Sequence, residues 1–267
     1  VSRKIEQQLQ KYLPGIKVAY CPERIAEGRA LEELHQLPQI VGVCDDEIFK
    51  EVEQFFSKIP ISCIQTSFEE AELSKLFTNV WRYIKFAAAN QFFMMSNDFN
   101  VDYERVRNAI TESYPRASDL PGAGFAAGPC LFKDTMQLAA LVQQNFPLGN
   151  AAMMINEGTP GYVVECLEKK FVLEELTVGI LGAAFKPEVD DIRSSLAFKL
   201  RKLLAFKCKE VLMCDPFVED SRLVTLETLL SKSDLLIVGA PHKVFKNLVT
   251  EKPIIDIWNL MGKGVLI

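Results

Sequence analysis

Residues 67–99, SFEEAELSKLFTNVWRYIKFAAANQFFMMSNDF, run for more than thirty positions without a glycine or a proline. With no breaker inside it, such a stretch predicts one long helix, and its content of Ala, Phe and Met suggests burial on several sides. Ser67 and Glu70 have the spacing of a capping box, which places the helix start.

The text on either side has another period. Residues 2–13 read as an amphipathic helix that Pro14-Gly15 ends, IKVAYC as a short buried strand, and PQIVGVC as a second strand. DDEIFKEVEQFFSKI has helical spacing with acids in its first turn, and ISCIQT suits a third strand. After the long helix, VDYERVRNAIT predicts a second helix. A loop with Pro115, Pro121, Gly122, Gly124, Gly128 and Pro129 follows, then two helical segments, the later interrupted at Gly158-Thr-Pro-Gly161. From Leu176 four apolar β runs alternate with helical crossovers, which implies a parallel sheet covered on both faces. The expected class is α/β, with an α/β fragment over 1–67, a helical middle over 68–155 and a second α/β domain over 156–267.

Bulk properties narrow the function. The chain has 267 residues, a net charge of −5 and no long basic run, so neither nucleic acid nor an anionic membrane surface is an expected partner. No apolar run approaches the ~18 residues of a membrane span. The seven cysteines are scattered and form no C-x-x-C pair, which argues against a disulfide framework or a zinc site and for a reducing, cytoplasmic setting. No metal is expected. The two histidines, His35 and His242, read as surface or boundary residues.

Four groups carry possible chemistry. In GPCLFKD, Pro129 suits a first helical turn, so Cys130 would lie at a helix N-terminus that favours a thiolate, with Lys133 near and Asp134 one turn on. A buried, inert cysteine is the alternative. Lys75 and Asn79 share one stripe of the long helix and suit an oxyanion, or are a solvated pair. CPERIAEGRA places Glu23, Arg24 and Glu27 after a strand, where open α/β layers bind ligands, or is simply a charged loop. GAAFKPEVDDIRSS puts Lys186 and Arg193 on a loop between strand and helix, suited to phosphate or sugar oxygens or to solvent. Gly179 and Gly182 fall short of a G-x-G-x-x-G dinucleotide turn.

Taken together and in order, CPERIAEGRALEEL, AELSKLFTN, GPCLFKD and AAFKPEVDDIRSS resemble the signature stretches of the UDP-glucose/GDP-mannose dehydrogenase family, the nucleotide-sugar 6-dehydrogenases. The resemblance runs from about residue 16 almost to the end. It implies the end of a Rossmann-like NAD-binding domain, a central helical dimerisation domain and a C-terminal Rossmann-like domain that binds UDP-sugar. It also implies a truncated chain lacking most of the first domain, which alone would reduce no NAD.

The activity implied is a four-electron oxidation of a nucleotide-sugar C6 alcohol to the uronate with NAD, serving polysaccharide synthesis. Cys130 would be the nucleophile, Lys75 and Asn79 would stabilise the oxygen, Asp134 would position water, and Glu23 would assist thioester hydrolysis. Arg24, Arg116, Pro121, Gly122, Gly124, Phe125 and Lys186 would meet the substrate, Arg116 that of a neighbouring subunit. Glu27, Lys133 and Arg193 would touch NAD. Ala126 and Ala127 stand where many relatives carry two glycines, which narrows the expected pocket, and PER in place of PEF leans toward UDP-N-acetylhexosamines. The alternative from another class is a non-catalytic nucleotide-sugar-binding or dimerisation module with a structural cysteine.

Overall fold

The computed structural model describes residues 1–267 and divides into two compact units, residues 1–79 and 80–267.

In the first unit, α1 (Ser2–Tyr12) ends at Gly15, whose positive φ of 84° a side chain would resist. Helix α2 (Ala30–Glu33) is a single turn. Strand β1 (Gln39–Gly42) pairs in parallel with β2 (Cys63–Thr66), and α3 (Asp46–Phe56) makes the crossover. Asp45 caps α3 by accepting the Glu47 N–H at 2.6 Å. The run expected as a first strand does not form one. Tyr20 alone bridges to Gly42, antiparallel, at 2.9 and 2.8 Å. Past the end of that run, Pro22 has no N–H with which to extend the bridge toward Ile40.

Helix α4 (Phe68–Asp98) is the expected long helix, 31 residues. Its capping box is complete: the Glu70 carboxylate accepts the Ser67 N–H at 2.7 Å, and Ser67 Oγ accepts the Glu70 N–H at 3.3 Å. Gly42 lets β1 approach this helix, because a Cβ there would stand 2.8 Å from that of Ala71.

In the second unit follow α5 (Tyr103–Thr111), α6 (Leu131–Leu141) and α7 (Pro147–Lys170). Helix α7 is continuous through Gly158-Thr-Pro-Gly161, where an interruption was expected, and the boundary placed at 155/156 falls inside it. Pro160 forfeits only its own bond to residue 156, and the Thr159 hydroxyl takes up the Ile155 carbonyl at 3.0 Å.

The sheet behind these helices is β3 (Thr177–Leu181), β4 (Glu210–Cys214), β5 (Leu235–Val238) and β6 (Ile254–Ile255), all parallel in the order β4-β3-β5-β6. Crossovers are α8 (Leu196–Ala205), capped by Ser195, and α9 (Leu226–Lys232), capped by Thr225. Strands β3 and β5 are buried throughout, which is why they read as unbroken apolar runs. The main core joins Val178, Ile180 and Ile237 of the sheet to Leu200 and Leu204 of α8 and Val163 and Leu167 of α7. No helix is long and apolar enough to cross a membrane.

Replacing Ser67 with alanine removes one half of the α4 cap and is expected to cost about 1 kcal/mol. The urea midpoint should fall with an unchanged slope.

Candidate functional site at the carboxyl edge of the sheet

The chain leaves β3 and β5 toward opposite neighbours, so their carboxyl ends flank the topological switch point, the place where open α/β sheets hold ligands. The loop after β3, residues 183–195, carries Lys186 and Arg193. Trp258, following β6, donates its indole N–H to the Val238 carbonyl at 3.1 Å, at the end of β5. Its ring meets Phe125 edge-on at 6.1 Å. A Cβ on Gly124 would fall 2.3 Å from the same ring, so only glycine lets residues 121–127 lie this close. The expected substrate loop is therefore laid on the sheet's carboxyl edge.

A chain of buried amides holds that loop from the other side. The Gly124 N–H donates to Asn90 Oδ1, Asn90 Nδ2 to Asn156 Oδ1, and Asn156 Nδ2 to the Tyr83 carbonyl, each at 3.0 Å. Tyr103 adds a bond from its hydroxyl to the Pro121 carbonyl at 3.1 Å.

Next along the chain, Gly128 sits at φ +104° with its Cα against Phe185, where a Cβ would lie 2.6 Å from the ring. Its N–H donates to the Ser194 carbonyl at 3.3 Å. The turn before the cysteine thus rests on the loop 183–195. Cys130 is the N-cap position of α6 and is exposed, and Pro129 lies just ahead of the helix rather than in its first turn. Asp134, one turn on, is buried, and its main-chain N–H donates to the Cys130 carbonyl at 2.9 Å. Lys133 Nζ lies 3.3 Å from Asp134 Oδ1. By contrast, burial pushes the Cys214 thiol up to about 12 and that of Cys208 to about 11, so these cannot supply a thiolate near neutral pH.

The remaining positions are placed as follows. Lys186 lies over the Phe185 ring at 5.4 Å. Arg193 grips Asp191 through two nitrogens, at 2.9 and 2.7 Å, and that bond holds Asp191 below the usual carboxylate range. Arg116 is exposed and stacks on Tyr114 at 4.5 Å. In the first unit, Lys75 Nζ donates to the Glu23 carbonyl, so two groups far apart in sequence meet. The Glu23 carboxylate accepts the Ile25 N–H, Arg24 holds the Pro38 carbonyl, Glu27 is exposed and Asn79 is buried.

The histidine reading needs correction. His35 is exposed as expected, but His242, just after β5, is wholly buried, with Nε2 3.0 Å from Asp215 Oδ2. Asp215 follows β4 in a Cys-Asp-Pro sequence. It also accepts N–H groups from Ala183, Ala184, Phe217 and Val218 at 2.7–3.2 Å. Burial alone would raise this carboxyl, and the bonds from His242 and the main chain outweigh it, leaving it lowered. Sequence reasoning missed Asn90, Asn156, Asp215 and His242. Asp-Pro at one strand end and Ala-Pro-His at the next were the available signals.

With this geometry in place, comparison with known proteins is direct. Residues 69–158 match the central domain of the UDP-glucose/GDP-mannose dehydrogenase family, and residues 179–263 match its UDP binding domain. The chain belongs to that family. It is 31% identical over 93% of its length to a UDP-N-acetyl-D-mannosamine dehydrogenase of Pyrococcus horikoshii and 30% identical over 94% to one of Yersinia pestis. It spans 58% and 64% of those two proteins. Among solved structures, the UDP-D-ManNAc dehydrogenase of P. horikoshii superposes with a TM-score of 0.85 at 25% identity, covering 96% of this chain and 69% of that one. A UDP-glucose dehydrogenase of Pyrobaculum islandicum gives 0.84 at 25%, covering 94% and 63%.

Two predictions follow from the edge. Gly128→Ala has to move either the Phe185 ring or a left-handed backbone, and is expected to cost about 1–3 kcal/mol, read as a lower unfolding midpoint. Asp215→Asn removes a carboxyl whose folded form is the more acidic. Its contribution is complete above the ordinary carboxylate range (~4) and is lost as pH falls through the lower folded value. The variant should lose roughly 2–3 kcal/mol at neutral pH and show a shallower loss in acid, checked by denaturant unfolding across pH.

Proposed function

We propose that this chain carries the thioester-forming and nucleotide-sugar-binding parts of an NAD-dependent nucleotide-sugar 6-dehydrogenase, acting on a UDP-N-acetylhexosamine. The observation that carries the reading is the exposed Cys130 thiol at the start of α6, beside a turn seated on the sheet's carboxyl edge and one helical turn from a buried carboxylate. Its support is the family membership and the names of the relatives, which are UDP-N-acetyl-D-mannosamine dehydrogenases. The domain scheme of 1–67, 68–155 and 156–267, and a cytoplasmic setting, are parts of the same proposal.

The residues assigned to NAD fit contacts at its edge. Lys133 and Arg193 offer exposed cations for phosphate and Glu27 an exposed acceptor for a ribose hydroxyl, while the chain contains no G-x-G-x-x-G turn. When bound, NAD supplies the acceptor for each of two hydrides. The Cys130 sulfur, exposed at the start of α6, adds to the C6 aldehyde to give a thiohemiacetal. Loss of the second hydride leaves a thioester on Cys130. Lys75 and Asn79 stabilise the oxygen anion through these steps, and Asp134 orients the water that releases the carboxylate and returns the thiol, with Glu23 assisting. The sugar nucleotide lies along residues 121–125 with Lys186 and Arg24 on its polar groups, and Arg116 reaches toward a partner's substrate.

A homodimer completes the proposal. Trp81, Phe92 and Met95 of α4, with Phe99 just past its end, form an exposed apolar stripe opposite the buried Tyr83, Ala87, Asn90 and Phe93. A second copy of the same stripe is its natural cover.

Cys130→Ala, in a protein joining this chain to an NAD-binding domain, should lower NADH formation by roughly 10³-fold or more. Unchanged turnover would favour the non-catalytic module. In a melting-temperature series on the chain itself, UDP-N-acetylmannosamine should give the largest rise among UDP-glucose, UDP-N-acetylglucosamine and GDP-mannose. Trp81→Glu with Phe92→Glu should yield a monomer by sedimentation, and a dimer that persists would refute the stripe.

A further inference from the structure

We propose that the buried Asp215–His242 pair is a positioning device that holds the loop 183–195, and through it the Cys130 turn, only while His242 is neutral. The consequence for turnover rests on the roles proposed above for Cys130 and Lys186, but the device itself does not.

Three adjacent strands supply its parts. Asp215 leaves β4, His242 leaves β5, and the loop leaves β3, which lies between them. From one side Asp215 Oδ2 takes the N–H groups of Ala183 and Ala184, at 2.7 and 3.0 Å, fixing the start of the loop. From the other side His242 Nδ1 accepts the Glu188 N–H at 3.0 Å. The Glu188 carboxylate returns to the same strand end, accepting the Lys243 N–H at 2.8 Å. Glu188 is held at φ +60° and Ser194 at +54°, conformations that non-glycine residues rarely keep without such ties. The loop closes on itself where Phe185 donates to the Asp191 carbonyl at 3.0 Å. Its two ends then carry the cysteine turn: Phe185 underlies Gly128, and the Ser194 carbonyl accepts the Gly128 N–H.

The tautomer follows from the partners. A carboxylate only accepts and a main-chain N–H only donates, so Nε2 carries the proton and Nδ1 presents its lone pair. A second proton on Nδ1 ends the bond to the Glu188 N–H. The groups facing the ring are the Asp215 carboxylate, the Glu188 carboxylate at 3.9 Å from Nδ1, and the Lys243 main chain beside it, with Phe217 and Phe245 rings packed against it at 5.1 and 5.8 Å. An imidazolium would turn from the Glu188 N–H to its carboxylate, and that carboxylate would release Lys243. The loop would lose its middle tie while Asp215 kept its start.

The experiment is carried out on the chain alone. Hydrogen exchange of peptides within 183–195, corrected for intrinsic rates, is followed between about pH 5 and 8. Iodoacetamide modification of Cys130 is quantified on its own peptide over the same span. Wild type is expected to show a rise in loop exchange of roughly tenfold on acidification, about the weight of one hydrogen bond to the ring. His242→Phe keeps an aromatic ring between Phe217 and Phe245 but has no nitrogen. It should show the faster exchange at every pH. Its Cys130 modification rate should differ several-fold from wild type at neutral pH, with the ratio approaching one in acid. A wild-type loop whose corrected exchange has no pH step overturns the proposal, as does a His242→Phe protein whose Cys130 reacts at the wild-type rate throughout. If His242→Phe does not fold, the wild-type pH step alone decides. Neither readout needs substrate or turnover, so failure here leaves the thioester reading standing, and the reverse is also true.

Discussion

Parallel pairing of β3, β4, β5 and β6 sends four chain exits to a single edge of the second unit. Every polar main-chain group in those exits has to be satisfied without the ladder that served the strands. The structure answers with side chains placed at the exits themselves: Asp215 after β4, His242 after β5 and Trp258 after β6. That requirement for satisfaction, more than any catalytic demand, determines where the loop 183–195 can lie. The cysteine turn follows the loop, and residues 121–127 follow Trp258.

Close approach is the second requirement, and it is met by leaving atoms out. Gly124 admits the Trp258 ring and Gly128 admits Phe185, each at a separation that any Cβ would forbid. Both glycines also have positive φ, so shape and backbone conformation demand the same residue. Ala126 is buried between them and packs with Tyr83, Ala87 and Ala152. A glycine there would leave a small void, so Ala126 has a packing role in this chain.

Much of this was readable in advance, for reasons that differ by element. The long helix was legible because no breaker interrupts residues 67–99 and because a capping box marks its start. The C-terminal sheet was legible because strands buried on both faces read as unbroken apolar runs. The strand at residues 16–21 misled because apolar content alone does not supply a ladder partner, and only Tyr20 finds one. Gly158 and Pro160 misled in the opposite sense, since tertiary packing of α7 keeps its bonds despite them. The four signature stretches are what put Cys130, Asp134, Lys186 and Lys75 forward as candidates. Asn90, Asn156 and His242 escaped because a buried polar residue is recognised by its partners, and those partners lie 34 to 73 residues away for the amides and 27 and 54 for the histidine.

The two buried carboxylates of the second unit illustrate how partners assign roles. An ionised carboxylate has about four lone-pair sites. Asp215 receives five donors, four main-chain N–H groups and an imidazole, so its capacity is filled and it has none to offer a substrate. Its work is geometric, and the bonds from His242 and the main chain hold the carboxyl below its ordinary range against the effect of burial. Asp134 is paired instead with the exposed, flexible ammonium of Lys133, next to a thiol open to solvent. Of these two acids, the one saturated by main-chain donors and an imidazole builds the edge.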